Sequence, residues 1–164
     1  MSATEKNLAA AFAGESQANR KYLAFAKQAD LEGHPQVARL FRATAEAETI
    51  HAHAHLKAMG AVKSTADNLK AAISGETYEF REMYPPFIKE AEAENNAMAT
   101  RSFKLANEAE KVHAELYQKA LASLDKKEMV DVYLCIVCGH IAEGSIPGAC
   151  PICGAKAQAY KKID

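Results

Sequence analysis

Two short stretches of the chain have the same form, Glu48-Thr49-Ile50-His51 and Glu110-Lys111-Val112-His113. On an α-helix, residues three positions apart lie about 60° apart around the axis, so the Glu and the His of each stretch share one face. A single Glu-x-x-His is weak evidence for a metal site, because both residue types are common on helices. The occurrence of the motif in two places is the more informative observation.

Each motif is preceded by a glutamate in a Gly-Glu pair at nearly the same distance. Glu15, in Ala-Gly-Glu-Ser, lies 33 residues before Glu48, and Glu76, in Ser-Gly-Glu-Thr, lies 34 residues before Glu110. One Glu from each of two helices, with Glu-x-x-His from each of two others, is the ligand pattern of di-iron and di-manganese carboxylate bundles. The doubled pattern therefore predicts such a site.

Apolar residues around these motifs recur every three or four positions, which indicates amphipathic helices. Gly33-His34-Pro35 and Gly60 end the first two helices, and Ser64–Asp67 has the composition of a helix N-cap. Pro85-Pro86 is expected to kink the third helix or to begin a new one. Four long helices with short connections predict a four-helix bundle. The predicted helices span residues 4–32, 35–59, 66–94 and 97–125.

Five carboxylates fall on the apolar faces of these helices, where leucine would be expected. Burying each bare carboxylate costs several kcal/mol, and mutual repulsion adds to that cost. Either their pKa values rise or cations lie between them. We expect two metal ions held by these carboxylates and two histidines. The predicted ligands are Glu15, Glu48, His51, Glu76, Glu79, Glu110 and His113.

Other acidic and histidine residues fit less well as ligands. His34, His55 and His140 are expected either beside the metal ligands without binding the metal or on the surface, although a His51/His55 pair one helical turn apart is an alternative site. Several further glutamates fit a solvated helix face better. They are Glu46, Glu82, Glu90, Glu92, Glu94 and Glu108.

The composition changes after Glu128, and all four cysteines follow this point. Cys135-x-x-Cys138 and Cys150-x-x-Cys153 are each followed by Gly, and two such knuckles can supply four thiolates to one tetrahedral metal. Disulfides fit poorly in a reducing cytosol, and so small a domain needs some cross-link or metal. In this part, turn signals alternate with β-forming residues such as Val130–Leu134 and Ile136-Val137. We therefore predict two domains, residues 1–128 and 129–164.

Spacing alone does not choose between zinc and iron at the four cysteines, since tetrahedral thiolate suits both metals. A redox site in the same chain favours iron, because it needs a source of electrons that zinc cannot provide. Zinc in a given preparation remains open.

The overall composition excludes several classes of protein. With 20 basic and 21 acidic residues, the chain has a net charge of −1, without the basic excess expected of a nucleic-acid binder or a polybasic membrane binder. No apolar run reaches the roughly 20 residues of a membrane span. The first residues are too acidic for a signal peptide, so we expect a cytoplasmic protein.

Over essentially its whole length the chain resembles the rubrerythrins. The resemblance is carried by TEKNLAAAFAGESQANRKY at 4–22, ETIH at 48–51, SGETYEFREMYP at 74–85, EKVH at 110–113 and the two knuckles. It implies a mainly α fold, a ferritin-like four-helix bundle followed by a small rubredoxin-like domain. It also implies a peroxidase that reduces hydrogen peroxide to water, with a di-iron site and a cysteine-bound iron that delivers electrons singly.

The resemblance also implies individual roles. Glu15 would be terminal on one iron, Glu76 and His113 would bind the second, and Glu48 and Glu110 would bridge the two. One iron would exchange Glu79 for His51 on reduction. Tyr22 and Tyr84 are either hydrogen-bond partners of the ligands or ordinary core aromatics. The four-cysteine site would be Cys135, Cys138, Cys150 and Cys153.

The implied partners are hydrogen peroxide and a reduced electron donor, such as rubredoxin or an NAD(P)H-dependent reductase. From Glu110 to Leu124 the helix advances roughly 21 Å, which suggests that the four-cysteine site lies too far from the di-iron site of its own chain. A head-to-tail homodimer would then bring the partner's four-cysteine site close. The alternatives are a ferroxidase or iron-storage bundle with a structural zinc ribbon, and a metal-free helical scaffold with a zinc-ribbon binding module.

Overall fold

The fold is described by a computed structural model that covers Met1–Asp164. The chain divides into two compact units, Met1–Lys63 and Ser64–Asp164. The first contains two helices, and the second contains three helices and a small sheet. None of the helices has the length and apolar character needed to cross a membrane.

The first unit is a pair of long helices, α1 at Ala3–Leu31 and α2 at Pro35–Ala58. The Ser2 hydroxyl accepts the Glu5 N–H, and the Glu5 carboxylate accepts the Ser2 N–H, so a capping box begins α1. Between the helices, Gly33 has a φ of +78°, a conformation that costs glycine little. The predicted helices 4–32 and 35–59 are confirmed to within a residue.

The buried residues of α1 and α2 are alanines, apart from Asn19, and small side chains allow two helices to approach closely. The buried amide of Asn19 adds a polar link: its Nδ2 donates to the Ala45 carbonyl at 2.7 Å and to the Thr49 hydroxyl at 2.9 Å. The pairing of the two helices is therefore defined by a hydrogen bond as well as by packing. The buried alanines are Ala26, Ala29, Ala38, Ala45 and Ala52.

The second unit begins with a helical segment that is interrupted by a wider turn. Helix α3 spans Thr65–Tyr78, a π-helical turn spans Glu79–Met83, and α4 spans Tyr84–Ala93. The two prolines at 85 and 86 have no N–H to donate, and the Tyr84 N–H reaches back five residues to the Glu79 carbonyl. The predicted break at the prolines is confirmed, and it takes the form of a π turn.

Helix α5 spans Ala97–Ala122 and packs against α3, the π turn and α4. Asn95 ends α4 in the left-handed region with a φ of +57°, and the side chain of Asn96 accepts the Ala99 N–H to begin α5. The predicted helix over 97–125 is correct to Ala122, after which a short 3-10 turn covers Leu124–Lys126.

Three short antiparallel strands follow, in the order β2-β1-β3. They are β1 at Val132–Cys135, β2 at Ile141–Glu143 and β3 at Tyr160–Ile163. The buried cluster of this sheet is Cys135, Cys150 and Tyr160. The β-forming residues Val132–Leu134 lie in β1, whereas the exposed pair Ile136-Val137 forms the turn of the first knuckle.

The fold class predicted from the sequence is confirmed: four long helical segments precede a small sheet that carries the cysteine knuckles. The sheet belongs to the same compact unit as α5, and Lys119 on α5 forms an ion pair with Glu143 on β2. The boundary at Glu128 therefore lies inside the second unit. The division into 1–128 and 129–164 stays a prediction about independent folding.

Candidate metal sites

In the first unit, Glu15 from α1 and Glu48 and His51 from α2 form one group of possible metal ligands, with a ligand atom of each within 4.8 Å of the others. His51 Nδ1 lies 3.0 Å from Glu48 Oε2 and 4.0 Å from Glu15 Oε2. The His51 side chain is 55% exposed, whereas that of Glu48 is 14% exposed. The Glu-x-x-His spacing thus places both residues on one face, as predicted.

In the second unit, Glu76 from α3 and Glu110 and His113 from α5 form the corresponding group. His113 Nδ1 lies 2.7 Å from Glu110 Oε2 and 3.6 Å from Glu76 Oε2. Burial, and then the neighbouring Glu110, raise the pKa of Glu76, while His113 acts in the opposite direction. Two carboxylates held this close repel each other as anions, and a cation between them would remove that repulsion.

The second nitrogen of His113 is also accounted for. His113 Nε2 lies 2.8 Å from the carbonyl oxygen of Gly139, the residue that follows Cys138. With Nε2–H donating to this carbonyl, Nδ1 is left with a lone pair directed at the carboxylates. Histidine ligands in proteins almost always donate their other N–H to a carboxylate, a carbonyl or water. The orientation of His113 is therefore that of a metal ligand.

Glu79 and Tyr84 lie on the π turn and at the start of α4, beside the second group. Glu79 is not a member of either group, but burial and then Glu76 raise its pKa. Burial raises the pKa of Tyr84, and Glu110, Glu79 and Glu76 raise it further. Both side chains thus respond to the negative charge of the second group. Tyr22, in the first unit, packs against Phe25 and Phe41.

The four cysteines of the second unit converge on one point. The Sγ atoms of Cys135 and Cys153 are 3.7 Å apart, and those of Cys138 and Cys150 are 3.5 Å apart. These separations are far longer than the roughly 2 Å of a disulfide. They are close to the ~3.8 Å between sulfurs of a tetrahedral site with metal–sulfur bonds of about 2.3 Å.

The two knuckles have the same backbone geometry. Gly139 N–H donates to the Cys135 carbonyl, and Gly154 N–H donates to the Cys150 carbonyl, both at 2.9 Å. The two glycines have φ values of +85° and +72°, which favour glycine. The repeated Cys-x-x-Cys-Gly spacing therefore folds into two equivalent turns around one site.

The thiols of this site have shifted pKa values. Burial raises the pKa of Cys138. Burial acts in the same direction on Cys150, but hydrogen bonds from the Cys153 N–H, the Tyr160 hydroxyl and the Ile152 N–H outweigh it and lower its pKa to about 6. A low thiol pKa favours the thiolate, which is the form that binds metals.

The residues present fit the metals that the sequence pattern predicts. Each carboxylate–histidine group offers two oxygens and one nitrogen, a ligand set suited to iron and manganese, and the four sulfurs suit iron or zinc. The glutamates assigned to solvated faces are all exposed, as is His34. His55 is half-buried and belongs to neither group.

One geometric expectation from the sequence is wrong. The helix length predicts that the four-cysteine site lies too far from the helical ligands of its own chain, yet His113 contacts the first knuckle of the same chain through Gly139. The expected rise per residue along α5 holds, but the sheet does not extend away from the end of this helix. It lies beside α5, as the Lys119–Glu143 ion pair shows. Distance therefore gives no reason for a head-to-tail dimer.

A buried pair of polar side chains is not indicated by the sequence pattern. His140 and Tyr160 are each 8% exposed, and Tyr160 Oη lies 2.8 Å from His140 Nδ1. Of the two positions expected for His140, beside the metal ligands or on the surface, the structure shows the first: the residue is buried outside the ligand set, and its carbonyl accepts the Cys135 N–H. The alternation of buried and exposed residues along a strand could have predicted that Tyr160 is buried. The partner of its hydroxyl, His140, follows the first knuckle, and the sequence spacing does not indicate this contact.

Comparison with known proteins agrees with these sites. A family model described as Rubrerythrin matches residues 6–121, and one described as Rubrerythrin, rubredoxin-like domain matches residues 133–161. Nigerythrin from Nitratidesulfovibrio vulgaris is 43% identical, with 92% of this chain and 81% of that protein covered. Rubrerythrin-2 from Clostridium acetobutylicum is 36% identical, with 94% of this chain and 93% of that protein covered.

Solved structures of nigerythrin are similar as well. The mixed-valent state is 38% identical with a TM-score of 0.61, and the all-ferrous state is 37% identical with a TM-score of 0.61. Both cover 99% of this chain and 88% of the matched chain. The fold and the ligand groups define a helical carboxylate–histidine metalloprotein with an attached four-cysteine site. The chain belongs to the rubrerythrin family, which implies a di-iron site and a rubredoxin-like four-cysteine site.

Proposed function

We propose that the protein is a di-iron peroxidase that reduces hydrogen peroxide with two electrons and two protons to two molecules of water. Family membership supports a redox metalloprotein. The observation that carries the proposal is the contact between His113 and Gly139, because it joins a carboxylate–histidine group to the cysteine knuckle. A zinc ribbon with a purely structural role would need no such link.

Each carboxylate–histidine group would supply ligands to the di-iron site that family membership implies, and the four cysteines would hold a third iron. When bound in the ferrous state, the paired irons supply two electrons at once to the O–O bond. The ligands are those predicted from the sequence: Glu15, Glu48, His51, Glu76, Glu110 and His113, with Glu79 as the exchangeable carboxylate, and Cys135, Cys138, Cys150 and Cys153.

The chain itself provides a short path between the four-cysteine site and the second group. It runs from Cys138 through the peptide bond to the Gly139 carbonyl, and across the 2.8 Å hydrogen bond to His113 Nε2. The imidazole ring then connects Nε2 to Nδ1, which faces Glu110 at 2.7 Å. Between Cys138 and the imidazole ring, the hydrogen bond from His113 to Gly139 is the only non-covalent part of this path. Single electrons can therefore pass from the cysteine site to the second group.

Protons are needed as well as electrons, and the second group can hold them. Burial and neighbouring carboxylates raise the pKa values of Glu76 and Glu79. A carboxyl group with a raised pKa binds a proton more readily than an ordinary carboxyl group and can pass it to a leaving oxygen. We assign this role to the Glu79 carboxyl, which is not held in either three-residue group.

The partners of this reaction are hydrogen peroxide and a reduced donor, either rubredoxin or an NAD(P)H-dependent reductase. A cytoplasmic setting is part of the proposal, because its reducing environment keeps four adjacent thiols available for metal. A head-to-tail homodimer stays a prediction that rests on the family resemblance alone.

The test is peroxide consumption by iron-loaded, chemically reduced protein under anaerobic conditions. We expect about three irons per chain, one peroxide consumed per di-iron site in a single turnover, and two waters formed. A Cys135→Ser/Cys150→Ser variant serves as the control: it should retain the single turnover but lose donor-driven turnover. Peroxide left unconsumed by a fully iron-loaded protein would contradict the proposal, and rapid oxidation of added ferrous iron by oxygen would favour a ferroxidase.

A further inference from the structure

A buried polar pair beside the cysteine site has no part in the function proposed above. The Tyr160 hydroxyl lies 2.8 Å from His140 Nδ1, and the two rings meet edge to face with centroids 5.9 Å apart. Each residue is 8% exposed, so water does not offer either polar group an easy alternative partner. Buried polar groups of this kind are held in specific hydrogen bonds.

The pair contacts both knuckles. Tyr160, the first residue of β3, is the cross-strand partner of Cys135 and forms one buried cluster with Cys135 and Cys150. His140 follows the first knuckle, and its carbonyl accepts the Cys135 N–H at 2.8 Å. Tyr160 therefore packs with Cys135 and Cys150, and its hydroxyl contacts His140.

Counting donors defines the direction of each hydrogen bond. A metal-bound thiolate can only accept, whereas a phenol has one O–H to donate and can accept another bond. If the Tyr160 hydroxyl donates to Cys150 Sγ, then the contact with His140 is satisfied only when Nδ1–H donates to Tyr160 Oη. The Tyr160 hydroxyl is a hydrogen-bond partner of the Cys150 sulfur, with which it shares the buried cluster.

We propose that Tyr160, held in place by His140, is a positioning residue that donates a hydrogen bond to the Cys150 thiolate and raises the reduction potential of the cysteine-bound iron. This inference rests on the proposed function, in which that site holds iron. Hydrogen bonds to the sulfurs are among the factors that set the potentials of iron–thiolate sites. The bond stabilises the reduced form more, because that form carries the greater negative charge.

The first experiment compares the midpoint potential of iron-loaded protein with that of Tyr160→Phe. We expect the ferrous-to-ferric ratio at a fixed potential to fall about tenfold, which is a potential lower by about 59 mV. Tyr133→Phe is the matched control, since its hydroxyl points to the exposed carboxylate of Asp131 at 3.3 Å and its loss should leave the potential unchanged.

The outcomes separate this inference from the function on which it rests. If the unaltered protein lacks ferric-thiolate absorption, the assignment of iron to this site fails. If that absorption is present in both proteins and Tyr160→Phe keeps the original potential, the positioning role is overturned. An equal shift of the potential in Tyr133→Phe also overturns the positioning role, because loss of a tyrosine hydroxyl elsewhere in the sheet would then have the same effect.

The role of His140 is tested separately. His140→Leu should lower the potential in the same direction but by less, and the double variant should shift no further than Tyr160→Phe alone, because His140 acts through Tyr160. Additive shifts of the potential would contradict this arrangement.

A further measurement needs no variant. Nitrogen-15 NMR of zinc-loaded protein reports which ring nitrogen of His140 carries the proton. We expect the proton on Nδ1, and a proton on Nε2 alone overturns the inference.

Discussion

Glu79 is the predicted iron ligand that the structure leaves outside both three-residue groups. It is the first residue of the π turn, three residues after Glu76, and burial and Glu76 raise its pKa. A carboxylate in this position is suited to binding in one state of the site and releasing in the other. Its loss should affect turnover more than metal retention.

We therefore predict that Glu79→Ala lowers peroxide turnover about 10- to 100-fold, a range typical for groups that support a metal site from outside its main ligands. Iron content should remain near that of the unaltered protein, because both three-residue groups are intact. Glu82→Ala, an exposed residue on the same turn, is the control and should change neither quantity. Unchanged turnover in Glu79→Ala would count against an exchangeable role.

Gly139 connects the first knuckle to His113, and its backbone has a φ of +85°. An added Cβ would meet only the Ala109 Cβ at 3.9 Å, an ordinary contact, so the cost of Gly139→Ala comes from the backbone. We predict a loss of about 1–2 kcal/mol in the stability of the knuckle. The measurement is the concentration of chelator that removes half of the metal bound by the four cysteines.

Gly148→Ala is the matched control for this prediction. Gly148 has no positive φ, and an added Cβ there would meet no atom within 4 Å, so its substitution should fall within about 0.5 kcal/mol of neutral. Equal sensitivity of the two variants to chelator would show that the left-handed turn at Gly139 does not limit the stability of the site.

At the scale of elements, the pairing of α1 with α2 depends on one buried amide. Asn19 Nδ2 donates to the Ala45 carbonyl and the Thr49 hydroxyl, and the other buried residues of the two helices are all alanines. We predict that Asn19→Ala lowers the free energy of unfolding by about 1–3 kcal/mol, as expected for a lost buried hydrogen bond. Circular dichroism during denaturant unfolding measures this change.

Asn7→Ala provides the control on the same helix, because Asn7 is exposed. It should leave the unfolding midpoint unchanged or raise it slightly, since alanine has the higher helix propensity. If both variants shift the midpoint equally, the effect of Asn19 would reflect helix propensity alone, and the interhelical bond would contribute nothing measurable.

The elements differ in how well the sequence predicts them. The helix ends near Gly33, Ser64 and Asn96 carry local signals, and the sequence predicts these ends closely. It also predicts the break at the two prolines, but the form of that break, a π turn that begins at Glu79, depends on which carbonyl the Tyr84 N–H reaches. The π turn packs against α5, and spacing along one helix does not encode that contact.

For the whole molecule, local spacing identifies the predicted ligands but not the link between sites. Glu110 and His113 lie on one face because of helix geometry, and the knuckles form because of the Cys-x-x-Cys-Gly spacing. The contact of His113 with Gly139 requires the sheet to fold back beside α5. The reversal follows the short turn at Leu124–Lys126 and Lys127, whose φ is +52°, and no periodic pattern predicts it.

Metal removal tests how far the small sheet depends on its four-cysteine site. Its buried cluster is only Cys135, Cys150 and Tyr160, too little to hold so short a segment without a cross-link or metal. We predict that chelation under reducing conditions exposes the amides of residues 130–164 to hydrogen exchange, while α2 keeps its protection and the helical circular dichroism is retained. Cys138→Ser should give the same exchange pattern with metal present. Continued protection of 130–164 in metal-free protein would mean that packing against α5, through contacts such as Lys119–Glu143, is sufficient to hold the sheet.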